Sequence, residues 1–460
     1  MTIQREFSVR GTKVTVVGAA RSGIAAAHLL ARRGATVTLT DLQPSIADEE
    51  ELKAAGVRLE LGHHHSATFS GADLVVLSPG VPSTLPAIEA ARLAGVHVIG
   101  ELELASRWLR GRIVAITGTK GKSTTTTLTG RMLEAGGHHV LVGGNIGQPL
   151  SAQVDESRPD TIHVVEASSF QLESVETFRP WISVFLNLSP DHLDRHGSVD
   201  EYAAAKARIF MNQTDADWAV LNADDPAVAR IAAAASSQKM LFSMSDSLPA
   251  GVLVRGDEIV RRTADGDQPL LPVSSIRLLG RHLVADVLAA SAVASLAGVD
   301  AAAMTQAVER FKGLEHALEP VAEISGVLFV NDSKATNVEA ARRAIESFDS
   351  VVVIMGGRFK GGNFGELTAP LRERNATVIS IGEAQDLIAS TFNGAVPVRE
   401  AADMNGAVRM AFASAAPGTA VVLAPACASF DMFRDYAERG RVFKQEVARL
   451  KEEWNGVREQ

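Results

Sequence analysis

Ile113-Val114-Ala115-Ile116-Thr117 runs directly into Gly118-Thr119-Lys120-Gly121-Lys122-Ser123-Thr124, and a helical pattern follows over Thr124–Ala135. An apolar run rich in β-branched residues reads as a strand buried on both faces, the kind found in a parallel sheet covered by helices. The glycine-rich turn between strand and helix points backbone N–H groups and a helix N-terminus at one place, which suits phosphate. Lys122 is spaced to reach terminal phosphates, and the Ser123 or Thr124 hydroxyl to ligate Mg²⁺. Only Thr119 and Lys120 separate the two glycines, where the general phosphate loop has four residues. A glycine turn with solvated lysines is the plain alternative, and Lys120 alone reads equally well as an exposed charge.

The strand–helix alternation extends in both directions. Upstream, strands are expected at Lys13–Gly18, Ala35–Asp41, Asp73–Ser78 and Val96–Ile99, with helices at Gly23–Arg33 and Leu85–Ala94. Gly100–Arg112, charged and glycine-bounded, reads as a hinge. Downstream, strands are expected at Thr161–Glu166, Ile182–Leu188 and Trp218–Leu221, with a helix from Val199 to about Met211. A small antiparallel addition is expected within Lys239–Leu279, then helices at Leu283–Leu296 and Ala302–Phe311. Past Gly313 the pattern restarts with strands at Val327–Asn331, Val351–Met355, Thr377–Ile381 and Ala420–Leu423. The expected fold class is α/β in three domains, 1–100, 101–313 and 314–460, the first and last Rossmann-like and the central one a P-loop-type ATP-binding unit. The 460 residues agree with this at about 150 per domain.

Forty-five Lys and Arg against 54 Asp and Glu leave a formal net charge of −9. Such a chain is a poor electrostatic partner for nucleic acid or an anionic membrane surface, so an anionic ligand must be held by local donors. The single cysteine, Cys427, rules out an internal disulfide and a thiolate zinc site and suits a reducing compartment. The first apolar run, Val14–Val17, is too short for a signal peptide, and no stretch reaches the ~18 apolar residues of a spanning helix. The expectation is a cytoplasmic protein without membrane insertion.

Other polar groups gather where strands end. Glu166 closes a buried strand, at the carboxyl edge where open α/β sheets bind ligands, and a carboxylate there suits Mg²⁺. Asn187-Leu188-Ser189-Pro190-Asp191-His192-Leu193-Asp194-Arg195-His196 leaves another strand end. Its histidines lack the His-Glu-x-x-His order of a zinc site, which favours one histidine near the phosphate loop. His63-His64-His65 reads as solvated surface. Gly18-Ala19-Ala20-Arg21-Ser22-Gly23, followed by Asp41 at the next strand end, approaches the dinucleotide fingerprint but carries Ala20 at its second glycine. An NAD-dependent oxidoreductase is the alternative built on that segment. In the third unit, Asn331–Asn337, Gly356–Gly362 and Ala424–Asp431 all leave strands of one sheet. Together they offer Lys334, Arg358, Lys360 and several hydroxyls to a small acidic ligand.

Taken together, these motifs resemble the Mur ligase family over essentially the whole chain, and most closely its D-glutamate-adding branch. The resemblance rests on Thr117–Thr124, Gly143-Gly144-Asn145-Ile146-Gly147, Glu166-Ala167-Ser168-Ser169-Phe170-Gln171-Leu172, Asn187–His192 with Asp194-Arg195, Asn331–Asn337 and Pro425–Ser429. It implies an ATP-dependent amide ligase of cytoplasmic peptidoglycan precursor synthesis, joining D-glutamate to UDP-N-acetylmuramoyl-L-alanine through an acyl phosphate, with ATP and Mg²⁺ as cofactors and a monomer as the expected state. The resemblance makes Lys122, His192 and Lys206 catalytic, and Gly118–Thr124 the ATP loop. It assigns Ser123, Glu166, His192 and a carbamylated Lys206 to magnesium. Substrate positions implied are Ser22, Asp41, Ser78 and Gly80, then Asn145 and Ser168, and for glutamate Lys334, Thr336, Lys360, Ser429 and Tyr436. The chain departs from the family at Ala20, Gln43, Leu283, Asp286 and Ala317, mostly positions the family uses for nucleotide contacts. An L-glutamate-adding variant and a folylpolyglutamate synthase-like ligase are the neighbouring alternatives; the latter has no counterpart of residues 1–100.

Overall fold

The computed structural model describes residues 7–46, 48–277 and 282–458. Chain contacts divide it into two compact units, one running to Arg277 and resuming through Arg310, the other beginning at Phe311.

The first unit carries two sheets. Its N-terminal sheet is five-stranded and wholly parallel, in the spatial order Arg58–Leu61, Thr36–Asp41, Lys13–Val17, Leu74–Leu77, His97–Gly100. The chain starts in the middle and winds outward both ways. A crevice therefore opens beyond the carboxyl ends of Lys13–Val17 and its neighbours. The central sheet has nine strands. Arg112–Thr117 lies between Ile182–Phe185 and Thr161–Glu166, so the phosphate loop leaves the middle of the parallel part. At the far edge Gly251–Arg255, Glu258–Thr263 and Gly266–Pro272 form the antiparallel addition expected from sequence. Continuous burial accounts for the parallel arrangement: every residue of Leu74–Leu77 and Thr161–Glu166 is buried, as strands covered on both faces require.

The segment expected to be a hinge holds a short helix packed inward. Glu101–Ser106 is a helix whose first five residues are buried. Glu103, with no exposed side chain, accepts hydrogen bonds from the backbone N–H groups of Glu176, Thr177 and Phe178, and pairs with Arg107 at 2.8 Å. Burial opposes its charge, but these bonds and Arg107 outweigh that and hold the carboxyl below its ordinary value. Composition suggested a linker because two of its charges, Glu103 and Arg107, are turned inward and paired with each other.

The second unit is a six-stranded sheet in the order Glu319–Ile324, Val327–Asn331, Ala420–Leu423, Val351–Gly356, Thr377–Ile381, Val398–Glu400. All its pairings are parallel except that of Glu319–Ile324. The loops after Val327–Asn331, Ala420–Leu423 and Val351–Gly356 leave three adjacent strands at the same edge. Two apolar clusters cover the faces, one around Val353, Leu367 and Ile388, the other around Ile354, Phe443 and Val447.

Candidate active site

The phosphate loop is shaped by two glycines with positive φ, Gly118 at +147° and Gly121 at +80°; Gly121 caps the helix Lys122–Ala135. A Cβ at Gly121 would stand 2.1 Å from Asp286 Oδ1, so only glycine lets the loop lie this close. The neighbouring strand-end loop holds it open. Lys120 N–H donates to Asn187 Oδ1 at 2.9 Å, Asn187 Nδ2 returns a bond to Lys120 O, and Thr119 exchanges bonds with Ser189. Lys122 Nζ folds back onto Thr119 O at 2.9 Å.

Glu166 ends the adjacent strand and is 2 % exposed. One carboxylate oxygen accepts from the Ser123 hydroxyl at 2.7 Å, the other from Asn145 Nδ2 at 2.8 Å. Four expected residues, Lys122, Ser123, Asn145 and Glu166, thus meet at neighbouring strand ends. Hydroxyl and carboxylate oxygens are the donors Mg²⁺ takes, so this set fits that ion.

Lys206 lies on the helix Val199–Ala207, whose start is capped by Ser198. Its ammonium is buried against the loop, donating to Gly118 O at 2.8 Å and sitting 4.6 Å from the Tyr202 ring. Burial, with Lys122 nearby, pulls its pKa down to about 7 despite the opposing pull of Asp191 and Glu166. The two histidines of the Asn187–His196 stretch separate in role. His192 is half exposed at φ +52°, its ring edge-on to Phe170. His196 is buried, bonded to Ser169 Oγ and close to Glu173 Oε1. Among the described residues no group of three or more His, Cys, Asp or Glu is placed to hold a metal. The His63–His65 triplet also divides: His63 and His65 are exposed and touch each other, while His64 turns in to Thr40 Oγ1.

In the N-terminal sheet, Asp41 accepts from the backbone N–H groups of Ala19 and Gln43 and thereby ties two strand-end turns together. Gly18 (φ +93°) packs so closely on Ser78 that a Cβ would come within 2.9 Å of it. Ser22 lies in the first turn of the helix Arg21–Arg32, beside the same crevice. Gly80 O, with those of Pro79 and Val81, accepts from the Arg195 guanidinium, which also stacks on Phe170 at 4.3 Å. Arg195 therefore binds the crevice loop of one sheet to the histidine stretch of the other. Ser168 is occupied as a helix cap, its hydroxyl accepting from Gln171 N.

In the second unit Lys334, Thr336, Lys360, Ser429 and Tyr436 all lie on or just beyond the three loops at one edge of the sheet. Lys334 and Lys360 are exposed, Thr336 is half-buried, Ser429 is buried and Tyr436 is 41 % exposed. Arg358 and Ala428 form a backbone bridge that joins two of these loops, while the Arg358 side chain pairs with Glu383 at 2.9 Å. Burial raises the Asp332 carboxyl to about 7, partly offset by the Leu318 N–H and by Lys334. Two departures from the family pattern have a place as well. Burial keeps Asp286, against the phosphate loop, well above the ordinary carboxylate value. Ala317 closes a tight turn by bridging to Leu314.

Three family models match the chain in succession: a MurD-like N-terminal domain of Mur ligases over residues 12–100, the Mur ligase middle domain over 116–294, and the Mur ligase glutamate ligase domain over 318–427. The first covers the unit that the folate-type alternative lacks. A protein of Acidobacterium capsulatum named UDP-N-acetylmuramoylalanine--D-glutamate ligase is 49% identical, with 96% of this chain and 97% of that protein covered. A Koribacter versatilis protein of the same name is 45% identical over 97% and 99%. Among solved structures, the UDP-N-acetylmuramate-alanine ligase of Thermotoga maritima superposes with a TM-score of 0.59 at 19% identity, covering 96% of this chain and all of that one; at that identity the likeness speaks for the fold. With this similarity spanning nearly its full length, the chain belongs to the Mur ligase family.

Proposed function

We propose that this Mur ligase joins D-glutamate to UDP-N-acetylmuramoyl-L-alanine with consumption of ATP, as an enzyme of cytoplasmic peptidoglycan precursor synthesis. The observation that carries the reading is the meeting of Lys122, Ser123, Glu166 and Lys206 at adjoining strand ends, in a chain whose full-length relatives bear that name.

The substrate carboxylate is a poor electrophile, since its charge repels nucleophiles and its oxygen is a poor leaving group. Transfer of the γ-phosphoryl group to that oxygen breaks the β,γ phosphoanhydride bond, forms a C–O–P linkage and releases ADP. The backbone N–H groups of Gly118–Thr124 and the Lys122 ammonium hold the phosphates and offset their charge, so the protein contributes chiefly position and electrostatics. The glutamate amine then attacks the acyl carbon, a C–N bond forms, the C–O bond to phosphate breaks, and the amine proton is lost. Lys334, Thr336, Lys360 and Ser429 hold the glutamate carboxylates beside Tyr436. Ser22, Asp41, Ser78 and Gly80 line the crevice for the uridine nucleotide, with Asn145 and Ser168 toward the muramoyl end.

Ser123, Glu166, His192 and a carbamylated Lys206 would hold Mg²⁺, which when bound neutralises phosphate charge. Carbamylation needs a neutral amine that attacks the carbon of CO₂ and releases one proton. A buried ammonium with a pKa of about 7 supplies that amine near neutral pH, where an exposed lysine does not.

Lys122→Ala tests the phosphate-loop assignment. Turnover is expected to fall by about 10³-fold or more, with the melting temperature close to that of the parent. Near-parental phosphate release from the folded variant would refute the assignment.

A further inference from the structure

Arg439 is the largest fully buried side chain among the described residues, with 1 % of its surface exposed. It lies near the start of the helix Tyr436–Arg458. Its guanidinium makes three hydrogen bonds, all to neutral oxygens: Nε to Ser333 Oγ at 2.9 Å, one terminal nitrogen to Ser333 O at 2.9 Å, the other to Cys427 O at 3.1 Å. Among the described residues no carboxylate lies within ion-pair distance of it, and Asp431 acts only from farther off. Burial lowers its pKa to about 10, which leaves it a cation at neutral pH. A buried charge without an ion partner is costly, and the usual solution is a paired carboxylate.

The three oxygens belong to the loops that follow Val327–Asn331 and Ala420–Leu423. The third loop closes over the same group, since a Cβ at Gly357 (φ +124°) would stand 3.3 Å from the guanidinium and 2.2 Å from Ala428 O. These are the loops that carry Thr336, Lys360 and Ser429. Ser333 is three residues before Thr336, and Cys427 two before Ser429. The helix comes this near because Gly440 has no side chain; a Cβ there would meet His316 Nδ1 at 2.2 Å.

We infer that Arg439 is a positioning residue for the anionic amino-acid substrate: from behind the sheet edge it fixes the loops that bind the dicarboxylate, and its unpaired charge draws that anion to them. The bound carboxylates supply the opposite charge that the apo protein lacks. The guanidinium is buried directly against these loops, so its attraction is weakly screened. The inference rests on the assignment of glutamate to this edge.

The test is steady-state kinetics on Arg439→Gln, which keeps donors but removes charge, and Arg439→Lys, which keeps charge but loses the fork. Lys360→Ala and Ser429→Ala are measured alongside. For Arg439→Gln, the KM for D-glutamate is expected to rise about tenfold or more, the scale of one charge-assisted contact. The KM for ATP should stay within about twofold, and Arg439→Lys should recover most of the loss. An unchanged glutamate KM in the glutamine variant, equal defects in both variants, or a parallel rise in the KM for ATP would overturn the inference. Should Arg439→Gln fail to fold, Arg439→Lys decides: a near-parental glutamate KM supports the role of charge, and a large rise refutes it. If Lys360→Ala and Ser429→Ala leave the glutamate KM unmoved, the failure lies with the site assignment instead.

Discussion

Lys206 marks where residue-level reading from sequence ends. In Tyr202-Ala203-Ala204-Ala205-Lys206-Ala207 it is one charge on an alanine-rich helix, and helical periodicity gives no sign that its amine is buried against Gly118 O. Only the family resemblance singled it out. Glu166 and Ser123 were legible because a polar residue at the end of a continuous apolar strand sits at the ligand edge by geometry. Arg439 left no such mark, since two of its three bonds go to backbone carbonyls, which any sequence offers. Lys206→Ala is expected to be nearly inactive and partly restored by short-chain carboxylic acids, which enter the vacated space and return the missing oxygens. Phosphate release with and without added acid measures this, and full activity without rescue would place Lys206 outside the reaction.

At the scale of elements, buried parallel strands were the easiest to read: Thr161–Glu166, Val327–Asn331, Thr377–Ile381 and Ala420–Leu423 have the bounds the apolar runs predict. Edge strands were lost. Arg58–Leu61 and Val398–Glu400 are short and half polar, because an edge faces water on one side and pairs only once. Gly100–Arg112 misled for the opposite reason, since its charged helix is inside. Glu103 anchors that helix to the turn at Glu176–Phe178, so Glu103→Gln, which turns an amide toward those N–H groups and toward Arg107, is expected to cost about 2–4 kcal/mol at pH 7. The folded carboxyl sits below its ordinary value, so its contribution is complete above pH ~4.5 and is lost as pH falls through the folded value. Thermal melts of both proteins from pH 7 to pH 3 should converge at the acid end. A constant gap would mean that ionisation of Glu103 is not the source.

For the whole molecule, the sequence separates the chemistry into pieces that only joint turnover can combine. The phosphate loop, Glu166 and Lys206 lie in one compact unit, and the loops proposed to bind glutamate, with Arg439, lie in the other. Neither completes the proposed reaction alone, because the amine must come within about 3–3.5 Å of the acyl carbon. The three sheets were legible because each α/β stretch restarts the same alternation of strand and helix. The choice of amino-acid enantiomer was not, since Lys334, Thr336, Lys360 and Ser429 state a charge and a set of donors but no handedness. The most direct measurement is phosphate release with ATP, Mg²⁺, UDP-N-acetylmuramoyl-L-alanine and each glutamate enantiomer in turn. Release matching the amide formed with D-glutamate, and near background with L-glutamate or with any component omitted, is the expected result. Equal release with L-glutamate, or release that needs no amino acid, would contradict the assignment.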